Sequence, residues 1–160
     1  MRALLVSIAG TVLLLACVAP AGALQAHVGR DSVRGDATHL GADPPFPAIT
    51  VRIRASSDAD GSNPRGVVTI RVPEIGQQRR GQVTCLNVQG NTATIGIEIV
   101  KAEDPAVVGK GELWNVVDNG DSGDQIAGFA LTETPPTVCP PLSFSVPVVA
   151  GDYRILDAAL

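Results

Sequence analysis

The stretch Gly81 to Val100, GQVTCLNVQGNTATIGIEIV, constrains the fold more than any other part of the chain. It joins two runs of Val, Ile, Leu and Thr through Gly90-Asn91. That pair suits a two-residue hairpin loop, where positive φ is needed at the first or at both central positions. With Gly90 and Asn91 in the loop, Gln89 faces Thr92, Val88 faces Ala93, Asn87 faces Thr94, Leu86 faces Ile95, Cys85 faces Gly96 and Thr84 faces Ile97. Side chains alternate across a strand, so Val88, Leu86, Ala93, Ile95, Ile97 and Ile99 share one face, while Asn87, Gln89, Thr92, Thr94 and Glu98 share the other. One apolar and one polar face make a half-buried antiparallel ribbon. Cys85 falls on the polar face opposite Gly96, whose lack of a side chain leaves room for another segment.

Strand periodicity extends on both sides of the hairpin. Ile49, Val51 and Ile53 alternate with Thr50, Arg52 and Arg54, and Val68, Ile70 and Val72 alternate with Thr69 and Arg71, stopped by Pro73. Ser56 to Pro64 is dense in turn formers. Beyond the hairpin, Leu113 to Val117 and Ile126 to Thr132 read as strands, separated by Asp118-Asn119-Gly120-Asp121-Ser122-Gly123-Asp124. Thr134-Pro135-Pro136 and Pro140-Pro141 bracket Cys139 and make that segment stiff and unfit for a central strand. Leu142 to Val149, interrupted by Pro147, reads as an edge strand, and Tyr153 to Leu156 closes the domain. No segment offers an amphipathic helix. The expectation is an all-β fold, an antiparallel β-sandwich or barrel-like structure of about seven to eight short strands, over residues 47–160.

The N-terminus has a different character. Met1-Arg2, an uncharged apolar run from Ala3 to Ala19 and then Ala21-Gly22-Ala23 are the three parts of a secretory signal peptide, with cleavage expected after Ala23. A transmembrane anchor is the alternative, but the run is barely long enough to span a bilayer. Leu14-Leu15-Ala16-Cys17 offers a second alternative, a lipoprotein signal with Cys17 lipidated, although Leu15 is unusual at its position. Residues 24–46 are polar, rich in Gly and Pro, and show no hydrophobic period, so they read as a flexible leader holding both histidines, His27 and His39. Export leaves Cys85 and Cys139 as an even pair in an oxidising compartment. A disulfide between them is expected, with two buried free thiols as the alternative.

Four separated blocks resemble a known pattern. Gly81-Gln82-Val83-Thr84-Cys85-Leu86 runs into Val88-Gln89-Gly90-Asn91-Thr92-Ala93; Val117-Asp118-Asn119-Gly120 and Cys139 follow; and Gly151 to Ala158, GDYRILDA, ends the series. This order resembles the small secreted bacterial domains of the post-COAP type, departing where Asp152 replaces the Asn of the closing motif. The resemblance implies export and a β-rich module sometimes attached to larger surface proteins. It implies no activity, and no catalytic residue can be carried over.

The charges exclude some classes and leave others open. The chain holds 12 Lys and Arg against 16 Asp and Glu, for a net charge of −4. Its basic residues are scattered, and the adjacent pair Arg79-Arg80 reads as a solvated loop, so neither a nucleic-acid stripe nor a polybasic membrane patch is expected. Asp118, Asn119, Asp121 and Asp124 concentrate oxygens of the kind that bind calcium. The other reading of these residues is a polar turn in which Asp and Asn cap their own backbone. Asp58-Ala59-Asp60-Gly61 matches the opening of an EF-hand loop, but its last ligand would be Val67, which cannot coordinate. Neither histidine lies in the expected domain and no Ser sits in a G-x-S-x-G elbow, so no catalytic residue is expected. Glu98, Glu112 and Glu133 read as solvated surface rather than a glycosidase pair, and Trp114, the only Trp, reads as packing rather than a sugar platform. The function expected is an exported, non-enzymatic structural or interaction module of the envelope or extracellular space, with an envelope protein or glycan as partner. A calcium-dependent binding domain and a secreted hydrolase are the alternatives.

Overall fold

A computed structural model describes residues 29–41 and 47–158. The expected signal peptide, residues 1–23, with Cys17 and His27, lies outside the described residues. Eight strands, β1 (Arg30–Leu40), β2 (Ala48–Asp58), β3 (Arg65–Val72), β4 (Gln77–Gln89), β5 (Thr92–Ala102), β6 (Gly111–Val117), β7 (Gln125–Gly128) and β8 (Val146–Leu156), run up and down in chain order. Each pairs antiparallel with the next, and β8 returns to β1, closing a barrel. Of the two expected architectures the barrel-like one is realised. Closure leaves none of the eight strands at a free edge, although the short β7 pairs with β8 only through Gln125↔Pro147 and Ile126↔Val146.

The central hairpin has the expected register from Gln89↔Thr92 to Cys85↔Gly96. Only Gly90, at φ 61°, carries positive φ in its loop. One pair differs: Ile97 faces Val83, not Thr84, because β4 bulges between Val83 and Cys85. The bulge frees the Thr84 hydroxyl to donate to the Pro136 carbonyl at 2.6 Å, and it turns Val83 into the core. The gap opposite Cys85 is filled as the register requires. Cys85 and Cys139 are joined in a disulfide with Cα atoms 5.6 Å apart, and the Asn87 amide donates to the Cys139 carbonyl at 3.0 Å. The proline-rich segment is thus tied to the outside of β4 and β5.

Two expectations about the ends of the chain are corrected. Residues 30–40, read as part of a flexible leader, form β1, which pairs with both β2 and β8. Its inward positions are Asp31, Val33, Gly35, Ala37 and His39, too polar and too small to show a hydrophobic period. Gly35 is small for a reason: a Cβ there would lie 2.4 Å from the Tyr153 ring of β8, its registered partner. Tyr153 fills the space and donates its hydroxyl past β1 to the Val51 carbonyl on β2 at 2.8 Å. The edge strand expected over 142–149 begins only at Val146 and runs on into the closing strand expected over 153–156 as one strand, β8, and Pro147 is tolerated where it faces the short β7. β7 itself ends at Gly128, short of the expected Thr132, which is joined to Gly111 by an isolated bridge.

The core is the barrel interior, built from Val33, Val51, Ile53, Val68, Ile70, Ile95, Ile97, Val116, Ile126 and their neighbours. An eight-stranded barrel is just wide enough for such side chains to fill. The outward positions carry Arg34, Arg52, Arg54, Glu98 and Arg154, so the polarity is apolar inside and charged outside, the reverse of a lipid-facing barrel. Among the described residues no helix is long and apolar enough to cross a membrane.

Candidate functional site

The two ends of the barrel differ in chemistry. The end that carries the 59–64, 90–91 and 118–124 turns holds the acidic residues singled out from the sequence. There the carboxylates cap the main chain. Asp118 accepts from the N–H groups of Gly120 (3.1 Å) and Ile155 (2.9 Å), and Asp124 accepts from those of Asn119 (3.0 Å) and Tyr153. The Asn119 side chain donates to the Gly123 carbonyl, and Asp121 lies exposed on a 3₁₀ turn. Asp157 accepts from Gly90 N–H at 2.7 Å, and Asp31 from Ala158 N–H at 2.9 Å. Burial, with Asp157 and Asp60 adding repulsion, pushes the Asp31 carboxyl above its usual range despite the Ala158 bond. These oxygens stitch the strand ends together. Among the described residues no group of three or more His, Cys, Asp or Glu is placed to hold a metal ion.

The opposite end is a mouth with a built polar site. Four inward positions on three strands distant in sequence meet there: His39 near the end of β1, Arg79 near the start of β4, and Glu112 with Trp114 in β6. Glu112 is only 3% exposed and forms a two-point ion pair with Arg79, Nη2 to Oε1 at 2.7 Å and Nε to Oε2 at 3.2 Å. Burial pushes the Glu112 carboxyl upward; Arg79 opposes this, and the nearby Trp114 indole N–H does so more weakly. Both residues had read from the sequence as solvated surface. The pairing corrects that for each: Arg79 lies within β4, and Glu112 is the inward member of the alternation Glu112, Trp114, Val116.

Trp114 is seated by a glycine. A Cβ on Gly128, its registered partner on β7, would lie 2.6 Å from the indole ring. The ring meets His39 edge to face, centroids 6.2 Å apart. His39 Nδ1 stands 3.0 Å from the Leu40 carbonyl, which can only accept, so Nδ1 carries the proton and Nε2 presents a lone pair. Burial lowers the His39 pKa below 6.5, which favours this neutral form. Among the described residues Nε2 has no partner, and no acceptor meets the Trp114 Nε1–H at hydrogen-bonding geometry. His39 is 5% exposed and Trp114 2%. Both line one cavity of about 160 Å³, with Glu112, Arg79, Phe129 and Phe144 in its walls. The site therefore sets an imidazole and an indole, each with a ring nitrogen closed off from solvent, among aromatic side chains beside an ion pair.

Reading the sequence missed this site because His39 was assigned to the leader. The one local signal available was the alternation Glu112-x-Trp114-x-Val116, which puts a carboxylate on a buried face. No protein-family model matches the chain, and no curated protein or solved structure does either.

Proposed function

We propose that the protein is an exported, non-enzymatic binding module whose closed barrel holds one small organic molecule at the His39–Trp114 mouth. The observation that carries this reading is that His39 and Trp114 line one cavity, His39 Nε2 being buried with no hydrogen-bond partner among the described residues and the Trp114 indole N–H interacting only weakly with Glu112. Buried polar groups are almost always hydrogen-bonded, and those that are not call for an explanation. A ligand group that both donates and accepts, such as a hydroxyl or a primary amide, would answer both atoms. A cavity near 150 Å³ accommodates one benzene-sized ring, so the ligand expected is a single ring bearing one such group.

Export is supported by the signal-type N-terminus and by the cysteine pair, and the likeness of the hairpin, Val117–Gly120 and Gly151–Ala158 blocks to post-COAP-type secreted domains supports the same placement. The test uses Trp114, the only Trp in the chain, as a reporter. Phenol and benzamide are titrated while its fluorescence is followed, with toluene as an apolar control of similar size. Saturable changes with the first two, lost in His39→Phe, are expected. Equal responses to toluene, or no saturable response to any of the three, would refute the reading.

A further inference from the structure

The barrel's outer wall brings together basic residues that are scattered along the sequence. Arg34 in the middle of β1 is registered with Arg54 on β2 and with Arg154 on β8, so three guanidinium side chains stand side by side across three strands. All three are exposed. Among the described residues Arg34 and Arg54 have no carboxylate partner, and Arg154 lies 3.9 Å from Asp152 on its own strand. Arg65, next along on β3, donates to the Ser56 hydroxyl at 3.3 Å. Arg34, Arg52, Arg54 and Arg65 edge an open depression of about 820 Å³ floored by Gly35 and Gly66. Arg52 is neutralised there by Asp36.

Like charges placed directly opposite on neighbouring strands destabilise a sheet. A row of three, in a protein whose net charge is −4, is therefore a local cost, offset only in part by Asp36 and Asp152, which face each other in the next row of the same wall. An anion laid along the row would remove that cost. We infer that this wall binds a flexible linear phosphate polymer. Neighbouring strands are about 4.8 Å apart, and the curvature of a closed barrel splays the outer side chains further. The cations thus follow an arc that a flexible chain can track, while a flat lipid surface would meet only its crest.

The test measures fluorescence anisotropy of labelled oligothymidylate with the disulfide-intact chain over a range of salt concentrations. Binding at low salt is expected, with log K falling against log salt with a slope of about −2 for three neutralised phosphates. Arg34→Ser and Arg54→Ser should each reduce the slope by roughly 0.7 and leave the melting temperature equal or higher. Lys101→Ser, the same charge change on β5, should leave the slope unaltered. Unlabelled inorganic polyphosphate should displace the probe. Absence of binding at low salt, an equal loss in Lys101→Ser, failure of polyphosphate to compete, or binding to phosphatidylglycerol vesicles in place of the oligonucleotide would each overturn the inference. The phenol titration at the mouth involves none of these residues, so the two proposals fail separately.

Discussion

Gly96 decides whether the C-terminal third can be attached to the barrel. A Cβ at this position would lie 2.5 Å from Cys85 Sγ, 2.8 Å from Pro136 Cγ and 3.3 Å from Cys139 Sγ. The first distance is too short for any carbon–sulfur contact. The sulfur cannot swing away, because it is bonded to Cys139, and Pro136 is held by Thr84. Gly96→Ala must therefore displace the proline segment or leave the cysteines unpaired. The disulfide spans a sequence separation of 54, and closing a loop of that length is worth about 4 kcal/mol in the chain-entropy model. Loss of the bond should lower the melting temperature on the order of 10 °C or more. Gly96→Val adds two further methyls and should be worse. Thr94→Val alters the same outward face one pair closer to the turn without approaching either sulfur, and should behave like the parent. Free-thiol labelling and intact mass under non-reducing conditions give the disulfide yield, and melting with and without reductant gives its energetic value. If Gly96→Ala and Thr94→Val show equal disulfide yields and equal melting temperatures, the register-based account of the attachment is wrong.

Further outcomes follow from the two barrel ends. Arg79→Ala leaves Glu112 buried and unpaired, and should cost about 3 kcal/mol at neutral pH, the low end of the range because Arg79 is itself partly exposed; the loss should shrink in acid as Glu112 protonates, which urea midpoints across pH would show. His39 has a folded-state pKa below 6.5, so the unfolded chain takes up its proton first. Its contribution to stability is complete above pH 6.5 and is lost as pH falls towards the folded value, and His39→Gln should flatten that part of the profile. Glu112, raised from 4.5, acts in the opposite sense, favouring the fold in acid and losing that contribution as pH rises. At the other end, Asp124→Ala strips an acceptor from the Asn119 and Tyr153 N–H groups and should cost about 2 kcal/mol or more by chemical denaturation. Calcium and chelator should leave the parent's melting temperature unchanged, and a calcium-dependent rise would count against the capping role of Asp118 and Asp124.

The hairpin was legible in the sequence because every signal in it is local: a Gly-Asn loop, strict alternation, and a glycine opposite a cysteine. Its one departure, the bulge at Thr84, was not, since the partner that draws Thr84 out is the carbonyl of Pro136, 52 residues away. β1 was missed for a related reason. Strand recognition rests on large apolar residues at alternate positions, and β1 contributes small ones because the volume is supplied by β8. Gly35 and Tyr153 together occupy the space that two medium side chains would fill elsewhere, and the same division recurs at Gly128 and Trp114. A strand whose partner carries the bulk looks, when read alone, like a loop.

That division of volume also hides the mouth site and the arginine row from the sequence together. Both depend on β1: His39 enters the barrel only if β1 is a strand in the register that faces Gly35 with Tyr153, and the same register sets Arg34 between Arg54 and Arg154. With residues 30–40 taken as a leader, His39 becomes an isolated histidine, Arg34 an isolated charge, and the remaining strands an open sheet with no mouth. Closing the barrel with β1 turns an alternation of Asp, Val, Gly, Ala and His into one wall of a cavity on the inside and the centre of a cationic arc on the outside. Gly35 is the hinge of that argument. A side chain there would collide with Tyr153 and with the backbone of Asp152, as close as 2.3 Å, so Gly35→Val should detach β1 from β8 and remove the cavity and the arc in a single step.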